Sequence, residues 1–230
     1  MYRKHSYFSD NWALFKNFDK WVLSKTHLFR GATYELGCGL KPQKQLILQF
    51  ADSYIGVDWE SSLHDVKPEI YADLNKPLVM IEDNVADTVI SFSVMEHLYN
   101  PTNLINEAYR ILKPNGAMLL QIPFQWWVHE APYDYCRFTR YGLQKIFGDA
   151  GFKEIIVEEQ CLFWTTWIIK FNYHITGTIL DKIRPYKLQR LIKLLISPLF
   201  FLNQSIGLFL DEINPNPTET QGYTVIAYKK

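Results

Sequence analysis

The motif E-L-G-C-G at residues 35–39 places a carboxylate and two glycines directly after a β-rich stretch. Glycine has no Cβ atom, so at Gly37 and Gly39 the backbone can approach a ligand closely. Asp58 ends the next β-rich stretch, nineteen residues after Gly39, and a carboxylate there can accept hydrogen bonds from both hydroxyls of a ribose. A glycine pair alone would fit a tight turn equally well. Together with Asp58 it predicts a site for a nucleoside-containing ligand.

The residue after this loop argues against a dinucleotide. A dinucleotide-binding fingerprint would need a third glycine at position 42, where this chain has Pro42. Proline suits the first turn of a helix but does not provide the close helix approach that accommodates a diphosphate. The sequence therefore weighs against a nicotinamide-dependent oxidoreductase.

Short β-rich stretches alternate with helical ones along most of the chain, which is typical of an α/β fold with a parallel sheet. Apolar periodicity predicts a helix over 101–112, and Thr139 is suited to be the N-cap of a second helix. Residues 1–30 are expected to form an amphipathic helical lead-in, and the last strand is expected at 222–229. A chain of 230 residues is consistent with a single domain.

Further motifs follow the ends of these β-rich stretches: G-V-D at 56–58, A-D-L at 72–74, S-V-M-E-H at 93–97 and L-K-P-N-G at 112–116. In this order, and together with E-L-G-C-G, they resemble the class I S-adenosylmethionine-dependent methyltransferase family in its type 11 branch. The resemblance covers about residues 30–160 and the final strand.

The resemblance implies a Rossmann-like, seven-stranded, mostly parallel sheet of order 3-2-1-4-5-7-6, with strand 7 antiparallel. Helices would cover both faces, and a helical insertion would lie between strands 6 and 7. The implied cofactor is S-adenosyl-L-methionine. Its implied binding residues are Glu35, Gly37, Cys38 and Gly39 around the methionine part, Asp58 at the ribose, Asp73 and Leu74 at the adenine, and Ser91 and Met95 along the cleft.

Methyl transfer from a sulfonium mainly requires alignment and exclusion of water, but a hydroxyl acceptor would benefit from a general base. His129, which follows the fifth β-rich stretch, is the better candidate for this base. His97, after the fourth, is a weaker candidate, because a histidine at a helix start often hydrogen-bonds to backbone. Glu96 and Glu130 accompany these histidines, but without a recognisable ligand spacing we expect no metal ion.

The segment over 129–139 is similar to a motif of bacterial methyltransferases associated with surface-glycan and cell-wall gene sets. Its polar side chains could recognise hydroxyls or a phosphate. An ion pair between Asp134 and Arg137 that only fixes the loop is an equally good interpretation, and the two are compatible. The candidate substrate-binding residues are Glu130, Tyr133, Asp134, Tyr135 and Arg137.

A long insertion, 161–215, separates the last two strands, where connections in such folds usually have about 2 to 6 residues. Between Cys161 and Leu210 it has six basic residues and one acidic residue. Leucine and isoleucine recur at helical spacing over 187–196, opposite lysine and arginine, which predicts a basic amphipathic helix. Such a helix suits an anionic membrane surface, a cap over the site or a homodimer contact. We expect no membrane span, because 194–210 is short and interrupted by polar residues and proline.

Composition limits the partners and the compartment. Twenty-four basic residues balance twenty-four acidic ones, which argues against a nucleic-acid partner. Three widely spaced cysteines indicate neither a disulfide framework nor a zinc motif, and the start of the chain lacks the apolar run of a secretory signal. We expect a cytoplasmic protein, with membrane association through 161–210.

These observations together predict an S-adenosylmethionine-dependent methyltransferase that acts on an oxygen of a small or lipid-linked, glycan-related acceptor. One alternative is N- or C-methylation of a small metabolite. Another is a non-catalytic binding protein on the same fold, against which the intact set of Glu35, Gly37, Gly39 and Asp58 argues.

Overall fold

The computed structural model describes residues 6–60 and 67–230, so the first five residues of the predicted lead-in lie outside the described part. The chain divides into two compact units. The first contains Ser24–Glu158 and Gly222–Lys230, and the second contains the described residues up to Leu23 and the segment Glu159–Gln221. The insertion and the lead-in helix thus belong to a unit of their own.

The first unit is built on a seven-stranded sheet of order β3-β2-β1-β4-β5-β7-β6. β7 pairs antiparallel with β5, whereas β1, β2, β3, β4 and β5 pair in parallel. The predicted fold class and strand order are confirmed. The strands are β1 Ala32–Leu36, β2 Ser53–Asp58, β3 Ile70–Tyr71, β4 Ala86–Phe92, β5 Leu112–Pro123, β6 Lys153–Glu159 and β7 Gly222–Tyr228.

The crossover helices of this unit follow the predicted patterns. In α3, Pro101–Ile111, the apolar face is buried, including Leu104 and Ile105. α4, Arg140–Asp149, begins after Thr139, whose hydroxyl accepts a hydrogen bond from the Gly142 backbone N–H at 3.2 Å. The crossover after β1 contains only the short helix α2, Lys44–Ile47.

The chain changes direction between β1 and β4. From β1 it continues to β2 on one side, while β4 lies on the other side. In open α/β sheets, ligands bind outside the carboxyl ends of strands at such a switch point. The ends of β1, β2, β4 and β5 therefore locate the candidate site.

The second unit is helical and contains α1 Trp12–Ser24, α5 Phe163–Tyr173 and α6 Tyr186–Ile213. Buried polar side chains connect its elements. The Gln204 amide accepts a hydrogen bond from the Ala13 backbone N–H at 3.0 Å. The Asp211 carboxylate accepts hydrogen bonds from the first backbone N–H groups of α5, at 2.9 and 3.2 Å, which satisfies groups that every helix start leaves unpaired.

α6 is longer than the sequence pattern indicates. It has 28 residues and contains Pro198. Proline has no backbone N–H, so the Leu194 carbonyl loses its usual helical hydrogen-bond donor. The Ser197 hydroxyl donates to this carbonyl instead, at 2.9 Å. Among the described residues, α6 alone is long and apolar enough to cross a membrane. Its most apolar window has a mean hydropathy of 1.5 and is 17% buried. Length and composition do not distinguish a span from a surface helix.

Candidate active site

The two glycines in the loop after β1 differ in their surroundings. Gly37 has φ +80°, and a Cβ atom there would lie 2.3 Å from a methyl carbon of Val94. Gly39 has φ +48°, but no heavy atom of the described residues, apart from its two chain neighbours, lies within 4 Å of the position that its Cβ would take. Packing inside the protein therefore requires Gly37, whereas the space beside Gly39 is open to a ligand.

Asp58, at the end of β2, lies directly against this loop. Its Oδ2 accepts a hydrogen bond from the Gly39 N–H at 2.8 Å, and its Oδ1 accepts one from the Trp59 N–H at 2.8 Å. An ionised carboxylate has about four acceptor positions, so two contacts leave capacity for a diol. The structure thus brings together the two halves of the nucleoside site predicted from the sequence.

Glu35 lies under the loop and is 2% exposed. The Tyr54 hydroxyl donates a hydrogen bond to its Oε2. Burial raises the pKa of Glu35 to about 8, although the hydrogen bond from Tyr54 lowers it in part. The side chain is therefore largely protonated at neutral pH, and its predicted place near the cofactor ammonium stays a prediction. Tyr54 has no distinguishing signal in the sequence.

Cys38 contributes to the site only through its backbone. Its side chain is 2% exposed, and its Sγ packs against Gly56 of β2, where an added Cβ would be 2.8 Å away. Burial raises the pKa of its thiol to about 12. The thiol therefore stays protonated and inert at neutral pH.

Three other predicted cofactor residues have buried side chains. Ser91 donates a hydrogen bond to the Leu36 carbonyl at 2.8 Å, which ties β4 to β1 at the switch point. Met95 is fully buried in the core, and Leu74 is 6% exposed. The side chains of Ser91 and Met95 therefore pack within the sheet and core, and their predicted place along the cofactor cleft stays a prediction.

Asp73 is partly exposed, and its neighbours fix its carboxylate. Its Oδ1 accepts hydrogen bonds from the backbone and side-chain N–H groups of Asn75, both at 3.0 Å, and Lys76 lies 3.2 Å from its Oδ2. Burial raises the pKa of Asp73, but these three donors outweigh it, and the pKa is lowered overall. Its assignment to the adenine stays a prediction.

A cluster of two histidines and one glutamate lies after β4 and β5. His97 and Glu96 belong to a 3-10 helical turn, Met95–His97, that follows β4. The Nδ1 of His97 lies 2.7 Å from the Tyr133 carbonyl oxygen, in agreement with a backbone-bonded histidine. The rings of His97 and His129 meet edge to face, with centroids 4.8 Å apart. Both predicted base candidates therefore lie in one place.

Glu96 is the member of this cluster that sequence reasoning did not single out as a functional residue. It is fully buried, and burial raises the pKa of its carboxyl to about 8. Its backbone carbonyl accepts a hydrogen bond from the Tyr135 N–H at 2.8 Å, so it also fixes the 129–139 segment. Carboxylates are rarely fully buried, so the burial of Glu96 could not be expected from the sequence.

The 129–139 segment is ordered by the ion pair that the sequence analysis considered. Arg137 donates two hydrogen bonds to the Asp134 carboxylate, at 2.5 and 2.8 Å. Arg137 is the main reason that the pKa of Asp134 is lowered. The same carboxylate accepts a hydrogen bond from the His129 backbone N–H at 2.9 Å. Asp134 and Arg137 thus position the segment, and substrate contact by them stays a prediction.

The other residues predicted for substrate binding have more accessible side chains. Tyr135 is 49% exposed, and the Glu130 side chain is 40% exposed. The Tyr133 ring contacts the Trp59 ring edge to face, with centroids 5.4 Å apart. Trp59 follows Asp58 directly, so this contact joins the 129–139 segment to the end of β2.

Known proteins share this arrangement of strands and loops. Residues 34–120 match the family model described as a methyltransferase domain. The matched segment includes the glycine loop, Asp58 and the Glu96–His97 turn, but it ends before the 129–139 segment.

One curated relative matches a part of the chain. Over 99 residues the chain is 30% identical to a protein of Mycolicibacterium smegmatis described as a probable S-adenosylmethionine-dependent methyltransferase. The match covers 39% of this chain and only 37% of that relative's length.

Solved structures match nearly the whole chain. A SAM-dependent methyltransferase from Archaeoglobus fulgidus aligns with a TM-score of 0.58 and 17% identity over 94% of both chains. Phosphoethanolamine N-methyltransferase 2 of Haemonchus contortus, in complex with S-adenosyl-L-methionine, aligns with a TM-score of 0.52 and 15% identity over 96% of this chain and 57% of the other. The cyclase SpnF aligns with a TM-score of 0.54 and 14% identity over 93% and 80%.

The fold is that of the class I S-adenosylmethionine-dependent methyltransferases. At these identities the solved structures show the fold alone, and a cyclase among them illustrates that one fold supports several chemistries. The function of this chain is therefore argued from its site.

Proposed function

We propose that this chain is an S-adenosylmethionine-dependent methyltransferase. The observation that carries the proposal is the open space beside Gly39, next to the buried Asp58 carboxylate, at the switch point of a class I methyltransferase fold. This cradle fits the cofactor, because a Cβ at Gly39 would enter the space and Asp58 keeps acceptor capacity for a diol. The match of residues 34–120 to a methyltransferase domain supports the same conclusion.

Three groups of residues would each bind one part of the cofactor. The backbone of 37–39 would hold the methionine part, Asp58 the ribose, and Asp73 with Leu74 the adenine. When bound, the cofactor supplies an electrophilic methyl group on a sulfonium. The chain's task is then to align an acceptor with this group and to exclude water.

We propose an oxygen of a small or lipid-linked, glycan-related molecule as the acceptor. A hydroxyl must lose its proton as it accepts the methyl group, and the two histidines after β4 and β5 are the candidate bases. The Asp134 carboxylate, which Arg137 fixes in place, accepts a hydrogen bond from the His129 backbone N–H at 2.9 Å and so positions this residue. His129 Nε2 would take the hydroxyl proton as the sulfur–carbon bond breaks and the carbon–oxygen bond forms.

Calorimetric titration tests the cofactor assignment first. The purified chain should bind S-adenosylmethionine and S-adenosylhomocysteine with micromolar affinity, which corresponds to about −8 kcal/mol, and it should not bind a nicotinamide dinucleotide. A folded sample that binds none of the three would contradict the proposal and favour a non-catalytic role.

An acceptor panel tests the second part. S-adenosylhomocysteine release should depend on sugar nucleotides or lipid-linked glycans, and the product should carry an O-methyl group by mass spectrometry. Phosphoethanolamine is the informative alternative, since the Haemonchus contortus enzyme with the same fold is an N-methyltransferase. Turnover with phosphoethanolamine alone would replace the oxygen acceptor with a nitrogen acceptor.

We also propose that the second unit lies on an anionic membrane surface. Eleven large apolar side chains of α6 are exposed, among them Leu194 at 69% and Leu195 at 67%. The N-terminal part of α6, just before these two leucines, contains the basic residues Lys187, Arg190 and Lys193. Exposed apolar residues beside basic ones suit the interface of an anionic bilayer. A membrane-bound enzyme would meet a lipid-linked acceptor on the same surface.

A further inference from the structure

Glu96, His97 and His129 present three potential metal ligands to one another. One ligand atom from each lies within 4.8 Å of the other two. The Oε1 of Glu96 is 3.7 Å from the Nε2 of His97 and 3.9 Å from the Nε2 of His129. Two imidazole nitrogens and a carboxylate oxygen therefore converge on the same small volume.

The Glu96 carboxylate is the second, independent observation. Its side chain is 0% exposed, and neither of its oxygens has a hydrogen-bond partner among the described residues. Burial of a carboxylate without hydrogen bonds is costly, and buried charged groups are normally paired or coordinate a metal. Backbone hydrogen bonds from Tyr135 to the Glu96 carbonyl keep this residue in position.

His97 is held in the orientation that a metal ligand needs. Its Nδ1 lies 2.7 Å from the Tyr133 carbonyl oxygen, which favours a proton on Nδ1 and leaves the lone pair on Nε2. The Nδ1 of His129 lies 3.2 Å from the Asp134 carboxylate but forms no hydrogen bond with a described residue. Metal-binding histidines nearly always have such a partner behind the ring.

We propose that Glu96, His97 and His129 bind one divalent transition-metal ion of the zinc type. Two histidines and one glutamate form a known catalytic zinc ligand set with an open fourth position, whereas Mg²⁺ and Ca²⁺ prefer sites made of oxygen alone. With metal–ligand bonds of about 2.0 to 2.2 Å, tetrahedral ligand atoms lie roughly 3.4 Å apart. The observed 3.7 and 3.9 Å, and a largest separation of 4.8 Å within the set, require the three side chains to move closer together when the ion binds. This proposal replaces the sequence-based expectation of no metal.

The proposal has a consequence for the acceptor, and this part rests on the proposed function. With Nε2 of His129 bound to the ion, the ring has no lone pair left to act as a base. An acceptor oxygen in the open position would lose its proton more readily, because a bound metal ion lowers the pKa of a coordinated hydroxyl. The proton then leaves to water as the methyl carbon bonds to that oxygen and leaves its sulfur.

Metal binding is measured on the full chain after treatment with a chelator, without cofactor or acceptor. Calorimetric titration with Zn²⁺ should show one ion per chain with micromolar or tighter affinity, and Co²⁺ should give a visible absorption spectrum typical of nitrogen and oxygen ligands. Mg²⁺ should not compete. Absence of stoichiometric Zn²⁺ binding by the folded chain would overturn the proposal.

Variants assign the site. Glu96→Gln and His129→Ala should each weaken Zn²⁺ binding at least tenfold, whereas His27→Ala, which removes an exposed histidine outside the cluster, should bind like wild type. S-adenosylhomocysteine binding and the thermal midpoint report whether each variant is folded. If Glu96→Gln does not fold, His129→Ala decides. Unchanged Zn²⁺ affinity in a folded His129→Ala variant would sink the assignment.

The two proposals fail separately. Cofactor binding without metal binding would remove the metal site and leave the methyltransferase intact, and metal binding without cofactor binding would do the reverse. If turnover persists after removal of the metal, the ion has no role at the acceptor, and His129 keeps the role of base.

Discussion

Asp58 connects the proposed ribose contact to the glycine loop after β1. Its carboxylate accepts hydrogen bonds from Gly39 and Trp59, so a ribose would bind to an acid that is already oriented. An isosteric amide keeps one acceptor oxygen and loses the charge. We therefore expect Asp58→Asn to weaken S-adenosylhomocysteine binding by about tenfold or more, equivalent to about 1.4 kcal/mol, when measured by calorimetry.

Asp52→Asn is the matched control for this prediction, since Asp52 lies in an exposed position just before the same strand. It should bind the cofactor product like wild type. Unchanged affinity in the Asp58→Asn variant would remove Asp58 from the ribose site.

Glu35 gives the stability of the protein a characteristic pH dependence. Its ordinary pKa is 4.5, and burial raises the pKa in the folded state to about 8. Between these values the folded chain holds a proton that the unfolded chain has lost. The free energy of unfolding contributed by Glu35 is therefore largest below about pH 4.5 and decreases as the pH rises through about 8.

Thermal unfolding over this pH range tests the effect of Glu35. Glu35→Gln keeps an acceptor for the Tyr54 hydroxyl but cannot titrate, so its thermal midpoint should fall less steeply from pH 5 to 8 than that of wild type. Glu82→Gln, at an exposed position, should parallel wild type. Equal slopes for wild type and Glu35→Gln would show that Glu35 does not hold its proton.

Sequence reasoning could name candidate residues that act through charge or backbone, but it could not predict which side chains the packing would bury. Gly39 and Asp58 could be predicted because their types and spacing are tied to a ligand. The inward direction of Cys38 and Met95 depends on which neighbours fill the core, and a motif does not contain this information. The same holds for Glu96, whose burial results from the 129–139 segment packing around it.

Alanine substitutions at the two glycines of the loop after β1 should affect stability and cofactor affinity differently. Gly37→Ala places a methyl group against Val94, at 2.3 Å, so we expect loss of stability by roughly 2 kcal/mol or more. Gly39→Ala meets no protein atom and costs only the strain of a positive φ, about 1 to 2 kcal/mol. Its added methyl group enters the proposed cofactor space, so its main effect should be on affinity.

Paired measurements of unfolding and S-adenosylhomocysteine binding separate these effects. Gly37→Ala should lower the midpoint of denaturant unfolding more than Gly39→Ala. Gly39→Ala should show the larger loss of affinity relative to its loss of stability. A Gly39→Ala variant that binds like wild type would place the cofactor elsewhere.

At the scale of the whole molecule, the sheet order, the antiparallel last strand and the helical insertion could all be predicted. The alternation of β-rich and helical stretches predicted an α/β fold with a parallel sheet, whereas the strand order followed from the resemblance to the methyltransferase family. The grouping of the N-terminal helix with the insertion into one compact unit could not be predicted. It depends on long-range contacts such as the hydrogen bond between Ala13 and Gln204, which local patterns do not encode.

The exposed apolar face of α6 predicts that the whole chain binds to anionic vesicles. Leu194 and Leu195 are 69% and 67% exposed, so charged side chains at these positions should cost little stability. Full burial of a leucine in an apolar phase is worth about 1.5 to 3 kcal/mol. The double variant Leu194→Glu, Leu195→Glu should therefore reduce co-sedimentation with anionic vesicles by at least about tenfold.

The matched control is Val79→Glu, Met80→Glu, which adds the same charge at adjacent exposed positions of the other unit, 87% and 52% exposed in wild type. It should sediment with vesicles like wild type, and both double variants should bind S-adenosylhomocysteine normally. If wild type does not bind vesicles but forms a concentration-dependent dimer that Leu194→Glu, Leu195→Glu abolishes, α6 is a subunit contact. In that case the apolar face of α6 would be covered by a second copy of the chain and not by a bilayer.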